Sequence, residues 1–338
     1  MGFKRRVIKM TNLSLSKKLP LIMGAMATVA AIAAGIVGFV QAQSALHHAE
    51  EEKLLAILYD RAASLKEWYS AVDGDLSVQA ENPLVNEALL AFEDGWAELG
   101  SSQQQRLQRL YIDENPHPLG SKDKLDVAND GSSYALAHQS YHPYFRSLQR
   151  DRGYYDVFLF DPDGNVVYSV FKELDYATNV TTGEWKDSDL GNAFRAAQSA
   201  VTSRERTFFD FQPYAPSQGA PAAFMSAPII GPNNQLAGVI ILQMPVDTLN
   251  NVMNRTTGLG ETGETFAVGP DHLMRSNSRF SEESTILTRR VDTETVDLAL
   301  AGETGIMETL DYRDHEVFSA YITLDLDKTG SVLREVSG

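Results

Sequence analysis

The twenty consecutive residues at positions 21–40 carry no charge, and that stretch constrains this chain more than any other feature. As a helix they would cover about 30 Å, the thickness of a bilayer's hydrocarbon core. Gly24, Ala25, Ala27, Ala30, Ala31, Ala33, Ala34, Gly35 and Gly38 leave room for a second helix to approach closely, which points to a homodimer. Residues 1–18 contain Lys4, Arg5, Arg6, Lys9, Lys17 and Lys18 and no acid. The positive-inside tendency therefore keeps residues 1–18 in the cytoplasm, sets 19–41 across a bacterial inner membrane among its lipids, and exports the rest. A cleavable signal peptide is the competing reading, because Val40-Gln41-Ala42 satisfies the small-residue rule for a cleavage site. Against it, the usual apolar core of such a peptide is only about 7–15 residues. Both readings place the body outside.

That body is acidic. Six of the 29 basic side chains lie in residues 1–18, so the remaining 320 residues set 23 basic against all 45 acidic side chains. Such a surface repels a phosphate backbone, and no nucleic-acid partner is expected. The apolar content of 43% is enough to bury a core. There is no cysteine, which excludes disulfides and thiolate metal sites.

Across residues 44–71, Leu54, Leu55, Leu58, Ala62, Leu65, Trp68 and Tyr69 recur every three or four positions between charged residues, the pattern of a long amphipathic helix. Asp73-Gly74-Asp75 and Asn82-Pro83 are expected to interrupt it; helical spacing then returns over 84–112. Residues 113–133 are polar and read as a loop, and 133–150 as a helix broken at Pro143. From Tyr154 the texture changes. Tyr155-Asp156-Val157-Phe158-Leu159-Phe160, the turn Asp161-Pro162-Asp163-Gly164 and residues 165–170 form a β-hairpin pattern, which residues 222–244 repeat about Gly231-Pro232-Asn233-Asn234. A short helix is expected over 190–200 between them. A third hairpin is expected at Thr265-Phe266-Ala267-Val268, Gly269-Pro270-Asp271-His272 and residues 273–276. Phe158-Leu159-Phe160-Asp161-Pro162-Asp163-Gly164 and Phe266-Ala267-Val268-Gly269-Pro270-Asp271-His272 align at an offset of 108 residues, the mark of two related modules.

Residues 154–161 with 167–173, Asp187-Ser188-Asp189-Leu190, residues 221–229, and residues 259–269 with Leu273-Met274-Arg275-Ser276 resemble, in this order, the double Cache sensor region of methyl-accepting chemotaxis proteins. The resemblance runs from about residue 13 to 321. It implies an α+β chain: a transmembrane helix, a helical stem over 42–150, a membrane-distal PAS-like module over 151–248 and a membrane-proximal one over 249–338, each with an antiparallel sheet. It further implies a small-molecule ligand, an amino acid, amine or carboxylate, usually in the distal module. Such receptors continue through a second membrane helix to a cytoplasmic output, and nothing after Tyr321 is apolar enough to span. The polar tail 325–338 stands where the proximal module needs a further strand, so that module is expected to be incomplete. The sensor region of a histidine kinase or diguanylate cyclase is the alternative, and an exported binding protein or hydrolase a more distant one.

Gly258-Leu259-Gly260-Glu261-Thr262-Gly263 has the letters of a dinucleotide fingerprint, but that motif needs a strand before it and a helix after, and here a strand follows. Asp161-Pro162-Asp163-Gly164-Asn165 begins like a calcium loop, yet its twelfth position is Lys172 where a bidentate Glu is required. His138 and His142 have zinc spacing without a third ligand and read as solvated histidines. No metal or other cofactor is expected. No nucleophile elbow, P-loop or paired-acid motif occurs, so no catalytic residue is assigned. Small-molecule pockets are lined by aromatics with a few polar groups. On that ground Tyr155, Tyr168, Phe171, Trp185, Phe209, Asp210, Tyr214 and Met225 are the candidate ligand-binding residues, with Phe158 and Phe224 beside them. Asp210 leads, because a carboxylate among Phe208, Phe209 and Phe211 must be paired or meet a polar ligand.

Overall fold

The computed structural model describes residues 14–200, 202, 204–232, 234–325 and 332–337. Most of the basic tail, residues 1–13, lies outside the described residues. The chain divides into two compact units, Met1–Lys53 and Leu54–Gly338. In the first unit every described residue from 14 to 53 belongs to helix α1 (Leu15–Ala80) except Ser14, and the apolar side chains of 21–40 are exposed. Among the described residues α1 is the one helix long and apolar enough to cross a bilayer.

The second unit begins within α1 and packs its stripe Leu54, Leu58, Ala62, Leu65, Val72 and Leu76 into the main core. The expected break at Asp73-Gly74-Asp75 does not occur. These half-buried acids are held from other elements, Asp73 by Arg206 at 2.5 Å and Asp75 by the Tyr154 hydroxyl at 2.7 Å. Tertiary bonds override the local preference. The break comes at residue 82, where the Asn82 side chain caps α2 (Pro83–Glu98) by accepting from the N–H of Leu84. α3 (Gln103–Gln108) follows, then α4 (Ser133–Arg152), capped by Ser132 and ended by Gly153 at φ 73°. α4 runs through Pro143 without interruption, since the buried His138, His142 and Phe145 anchor it on either side.

The first sheet holds β1 (Asp156–Phe160), β2 (Val166–Ser169), β3 (Thr207–Tyr214), β4 (Ala220–Ile230) and β5 (Leu236–Met244), antiparallel in the order β2-β1-β5-β4-β3. Side chains alternate between faces along each strand. Val157, Leu159, Leu242, Ile240, Met225 and Ala227 face the helices and join their core, while Phe158, Phe160, Ile241, Val239 and Phe224 face α5 (Asp189–Gln198). Each fully buried large apolar side chain contributes about 1.5–3 kcal/mol.

After α6 (Val246–Met253) comes a second antiparallel sheet of β6 (Thr265–Val268), β7 (Gly305–Leu310), β8 (Glu316–Asp325) and β9 (Val332–Ser337), in the order β6-β9-β8-β7, with α7 (Glu294–Leu300) against it. Matching β6 to β1, β9 to β5, β8 to β4 and β7 to β3 reproduces the first sheet without its β2 edge. The offset of 108 residues is thus matched by a repeat of topology. Two expectations are corrected here. The strand thought missing from the second sheet is β9, which pairs with both β6 and β8; its Val-Leu-Arg-Glu-Val sequence hid it, because a strand flanked on both sides draws its hydrogen bonds from the backbone. The third hairpin is reduced to single bridges, Val268 with Met274 and Leu273 with Arg290. The side-chain oxygen of Ser276 accepts from the Ala267 N–H, taking up a donor that a second strand would have used.

Candidate functional site

On the α5 side of the first sheet the lining turns polar. Asp156 of β1 lies in register with Gln243 of β5, which lies in register with Phe224 of β4, so the three share that face. Ser226 lies two residues along from Phe224, on the same face. Asp156, Gln243 and Ser226 are all buried. Asp156 Oδ1 accepts the backbone N–H groups of Val157, Val170 and Phe171 at 2.7, 2.8 and 3.0 Å. That fixes the carboxylate and ties β1 to the loop leaving β2.

The loop brings Glu173 and Asp175 beneath a 3₁₀ turn, Ala215–Ser217, that joins β3 to β4. Glu173 accepts from the Tyr155 hydroxyl at 2.8 Å and the Ser217 hydroxyl at 2.5 Å, and Gln243 donates to Ser217 Oγ at 3.4 Å. Asp175 Oδ2 accepts from the Tyr214 hydroxyl at 2.6 Å. After these bonds Asp156 Oδ2, Asp175 Oδ1, Gln243 Oε1 and Ser226 Oγ remain buried with no hydrogen-bond partner among the described residues. Buried acceptors without donors are uncommon and destabilising. Burial, and then the neighbouring Asp175 charge, push the Asp156 carboxyl well above the usual carboxylate range. Burial pushes Asp175 up to about 7 and raises Glu173 as well. The cluster is arranged to attract protons or a cation.

The ammonium of the buried Lys172 makes its hydrogen bond elsewhere. The Lys172 ammonium donates to the Ser169 carbonyl and lies over the rings of Tyr168 and Tyr176, at 4.6 and 5.1 Å from their centres. Burial lowers it to about 7, against the pull of Asp156. On the same helix-side layer His138 and His142 are stacked at 4.3 Å and fully buried, which corrects the reading of solvated histidines. His142 bonds the Tyr168 hydroxyl and the Asp123 carbonyl, and burial with the nearby Lys172 lowers it to about 2. No group of three or more acidic or histidine side chains among the described residues is placed to hold a metal.

Of the eight predicted residues, Tyr155 and Tyr214 are in the cluster. Phe171 packs on Tyr155 at 4.7 Å, and Trp185 lines a cleft of about 320 Å3 with Tyr214 and Phe224. Phe209 packs at the edge of the same core. Tyr168 and Met225 stand on the opposite face, in register with Leu159 and Leu242, and are corrected to helix-side core. Asp210 is corrected too. Its carboxylate is paired with the fully buried Arg275, at 2.8 and 2.9 Å, and Arg275 also binds Asp271 at 2.9 Å. Gly269 makes the room, since a Cβ there would meet the guanidinium at 2.1 Å. Asp156, Glu173, Asp175, Ser217 and Gln243 were missed. Asp156, an acid inside the apolar run 154–160, carries the same sequence signal as Asp210.

No family model and no curated protein matches the chain. Among solved structures it is similar to the ligand-binding domain of the Pseudomonas fluorescens chemoreceptor CtaA in complex with L-serine, at 12% identity and TM-score 0.46, covering 84% of this chain and 94% of that one. The Pseudomonas aeruginosa PAO1 chemoreceptor PctB with L-Gln gives 13% and 0.42, over 85% and 90%. The sensor domain of the V. cholerae histidine kinase DctB gives 12% and 0.38, over 80% and 97%. At these TM-scores the likenesses fix neither ligand nor output; the order of strands describes the fold on its own.

Proposed function

We propose that this chain is the membrane-anchored, extracytoplasmic ligand-sensing region of a bacterial chemotaxis receptor, with the N-terminus cytoplasmic and the first-sheet module, residues 151–248, holding a small solute. The observation that carries the reading is the buried polar cluster where Asp156 of β1 pairs with Gln243 of β5, in which Asp156 Oδ2, Asp175 Oδ1, Gln243 Oε1 and Ser226 Oγ have no hydrogen-bond partner among the described residues. Buried acceptors without donors are destabilising, and a solute that supplied donors there would favour the conformation that encloses it. The bridge from Asp210 on β3 to Arg275 beyond β6 carries such a change from the first module to the second, residues 249–338. Pairing of α1 with a second copy, through its glycines and alanines, would complete the signalling stem among membrane lipids. The same geometry serves the ectodomain of a sensor kinase or diguanylate cyclase.

Cell fractionation with N-terminal sequencing, together with a thermal-shift screen of amino acids, carboxylates and amines, tests the proposal. The expected result is an uncleaved chain in the membrane fraction and at least one solute raising Tm with the logarithm of its concentration. A cleaved, soluble product that no solute stabilises would contradict it.

A further inference from the structure

We propose that the segment 119–128 is latched onto α4 by two uncharged histidines at neutral pH and is released in mild acid, a device that works whatever the first module binds. His138, His142, Arg146 and Arg150 recur every four residues along one side of α4. Each grips the segment. His138 Nδ1 lies 2.7 Å from the Asp126 carbonyl oxygen, and His142 Nε2 lies 2.6 Å from that of Asp123. Arg146 donates to the Asp123 carbonyl at 2.8 Å and pairs with the Asp126 carboxylate at 2.6 Å, while Arg150 pairs with the Asp123 carboxylate at 2.6 Å. The backbone hydrogen bonds of 118–130 all stay within that stretch, so its attachment to α4 comes from these side chains. Leu119 and Lys122 of the segment line a cleft of about 220 Å3 with Lys172, Glu173 and Pro216, so its release opens that flank of the first module.

A carbonyl oxygen only accepts, so the hydrogen of His138 sits on Nδ1 and that of His142 on Nε2. The opposite nitrogens have no place for a second one. His138 Nε2 is buried without a hydrogen-bond partner among the described residues, and His142 Nδ1 accepts from the Tyr168 hydroxyl at 2.6 Å. A proton taken up there would strand a buried N–H on His138 or break that bond on His142, in rings stacked at 4.3 Å. The groups facing the pair add to the cost. Lys172 and Arg146 repel any further cation, and the acids of the segment, Asp126 and Asp123, are already held by Arg146 and Arg150. The facing hydroxyls of Tyr111 and Tyr168 are pushed up by burial and stay neutral. Burial first, and then Lys172, therefore hold both imidazoles well below the ordinary histidine range. With the segment lifted the rings reach water and titrate near the ordinary 6.5, so protons favour the released state.

Hydrogen–deuterium exchange of the full chain in detergent micelles, between pH 7.5 and 5 and corrected for the intrinsic rate, reads the latch through peptides covering 119–128. Two protons taken up on release multiply the opening equilibrium by about a thousandfold over that range, and one proton by about thirtyfold. The expected result is a loss of protection of about tenfold or more in 119–128 while β4 and β5 keep theirs. His138→Asn with His142→Gln keeps an N–H toward each carbonyl and takes up no proton, so that double variant should stay protected at pH 5. The single variants should each lose about half of the logarithmic change, which decides the matter if the double variant fails to fold. A smaller change in the parent, a loss shared equally by β4 and β5, or variants that open as the parent does would overturn the proposal.

Discussion

Replacing Arg275 by Leu tests the buried ion pair that joins Asp210 of β3 to the segment after β6. The guanidinium is fully buried and serves two carboxylates, Asp210 through Nε and Nη2 and Asp271 through Nη1 and Nη2, as well as the Leu273 carbonyl. Leucine removes all of these bonds. Asp210, whose side chain is 10% exposed, is then left as a buried charge without its partner, whereas Asp271 at 35% can turn to water. Stranding one member of a buried pair costs about 3–5 kcal/mol. For a unit of this size each kcal/mol moves the melting temperature by about 2 °C or slightly more, so Tm should fall by about 6–10 °C. The assay is thermal unfolding of the micelle-bound chain followed by tryptophan fluorescence. The double variant Asp210→Asn/Arg275→Leu should recover a large part of the loss, because the stranded charge is gone. A fall under about 2 °C for the single variant, or a double variant no more stable than the single, would refute the reasoning.

Other outcomes follow from buried titrating groups and close contacts. Native Asp175 keeps its proton to about 7 while the unfolded chain releases it near 3.8. The native state therefore holds more protons across that window, and stability falls as pH rises through it. Asp175→Asn should accordingly gain stability relative to the parent between pH 4 and 7.5, by at most about 4 kcal/mol, as read from urea unfolding at several pH values. His142 works in the opposite sense: its native value of about 2 lies below the ordinary 6.5, so the unfolded state takes up protons first and stability is lost as pH falls below about 6.5. His142→Gln should flatten that acid limb in the same unfolding series. Gly95→Ala should destabilise by about 1–3 kcal/mol by calorimetry, because its Cβ would meet the Tyr134 backbone at 2.6 Å where α2 and α4 cross, and that clash outweighs the roughly 1 kcal/mol gain in helix propensity.

Much of the fold was legible because it is local. The periods of 3.6 and 2 marked α1, α2, α4 and the first two hairpins, and Asn82-Pro83 announced a helix start. Elements whose hydrogen bonds come from distant partners were not legible. β3 reads as polar-aromatic coil until it pairs with β4 over Thr207 to Tyr214, and β9 exists only through β6 and β8. The candidate site was legible only in part for a related reason. Aromatic composition pointed to Tyr155, Tyr214 and Trp185, but register decided which residues face α5. The one-residue alternation that puts Phe224 in the site puts Met225 among the helices. Asp210 and Asp156 present the same local pattern, an acid among apolar residues. The difference between a structural pair and an open acceptor lies in Arg275, 65 residues further along the chain.

Trp185 offers the most direct measurement of the central claim, since it lines the cleft beside Tyr214, while Trp68 and Trp96 pack against the helix-side core. A solute that raises Tm should produce a saturable change in tryptophan fluorescence at the same concentration. In Trp185→Phe that change should vanish while the rise in Tm persists. A fluorescence change that survives Trp185→Phe undiminished would place the solute elsewhere and contradict a ligand site in the first module.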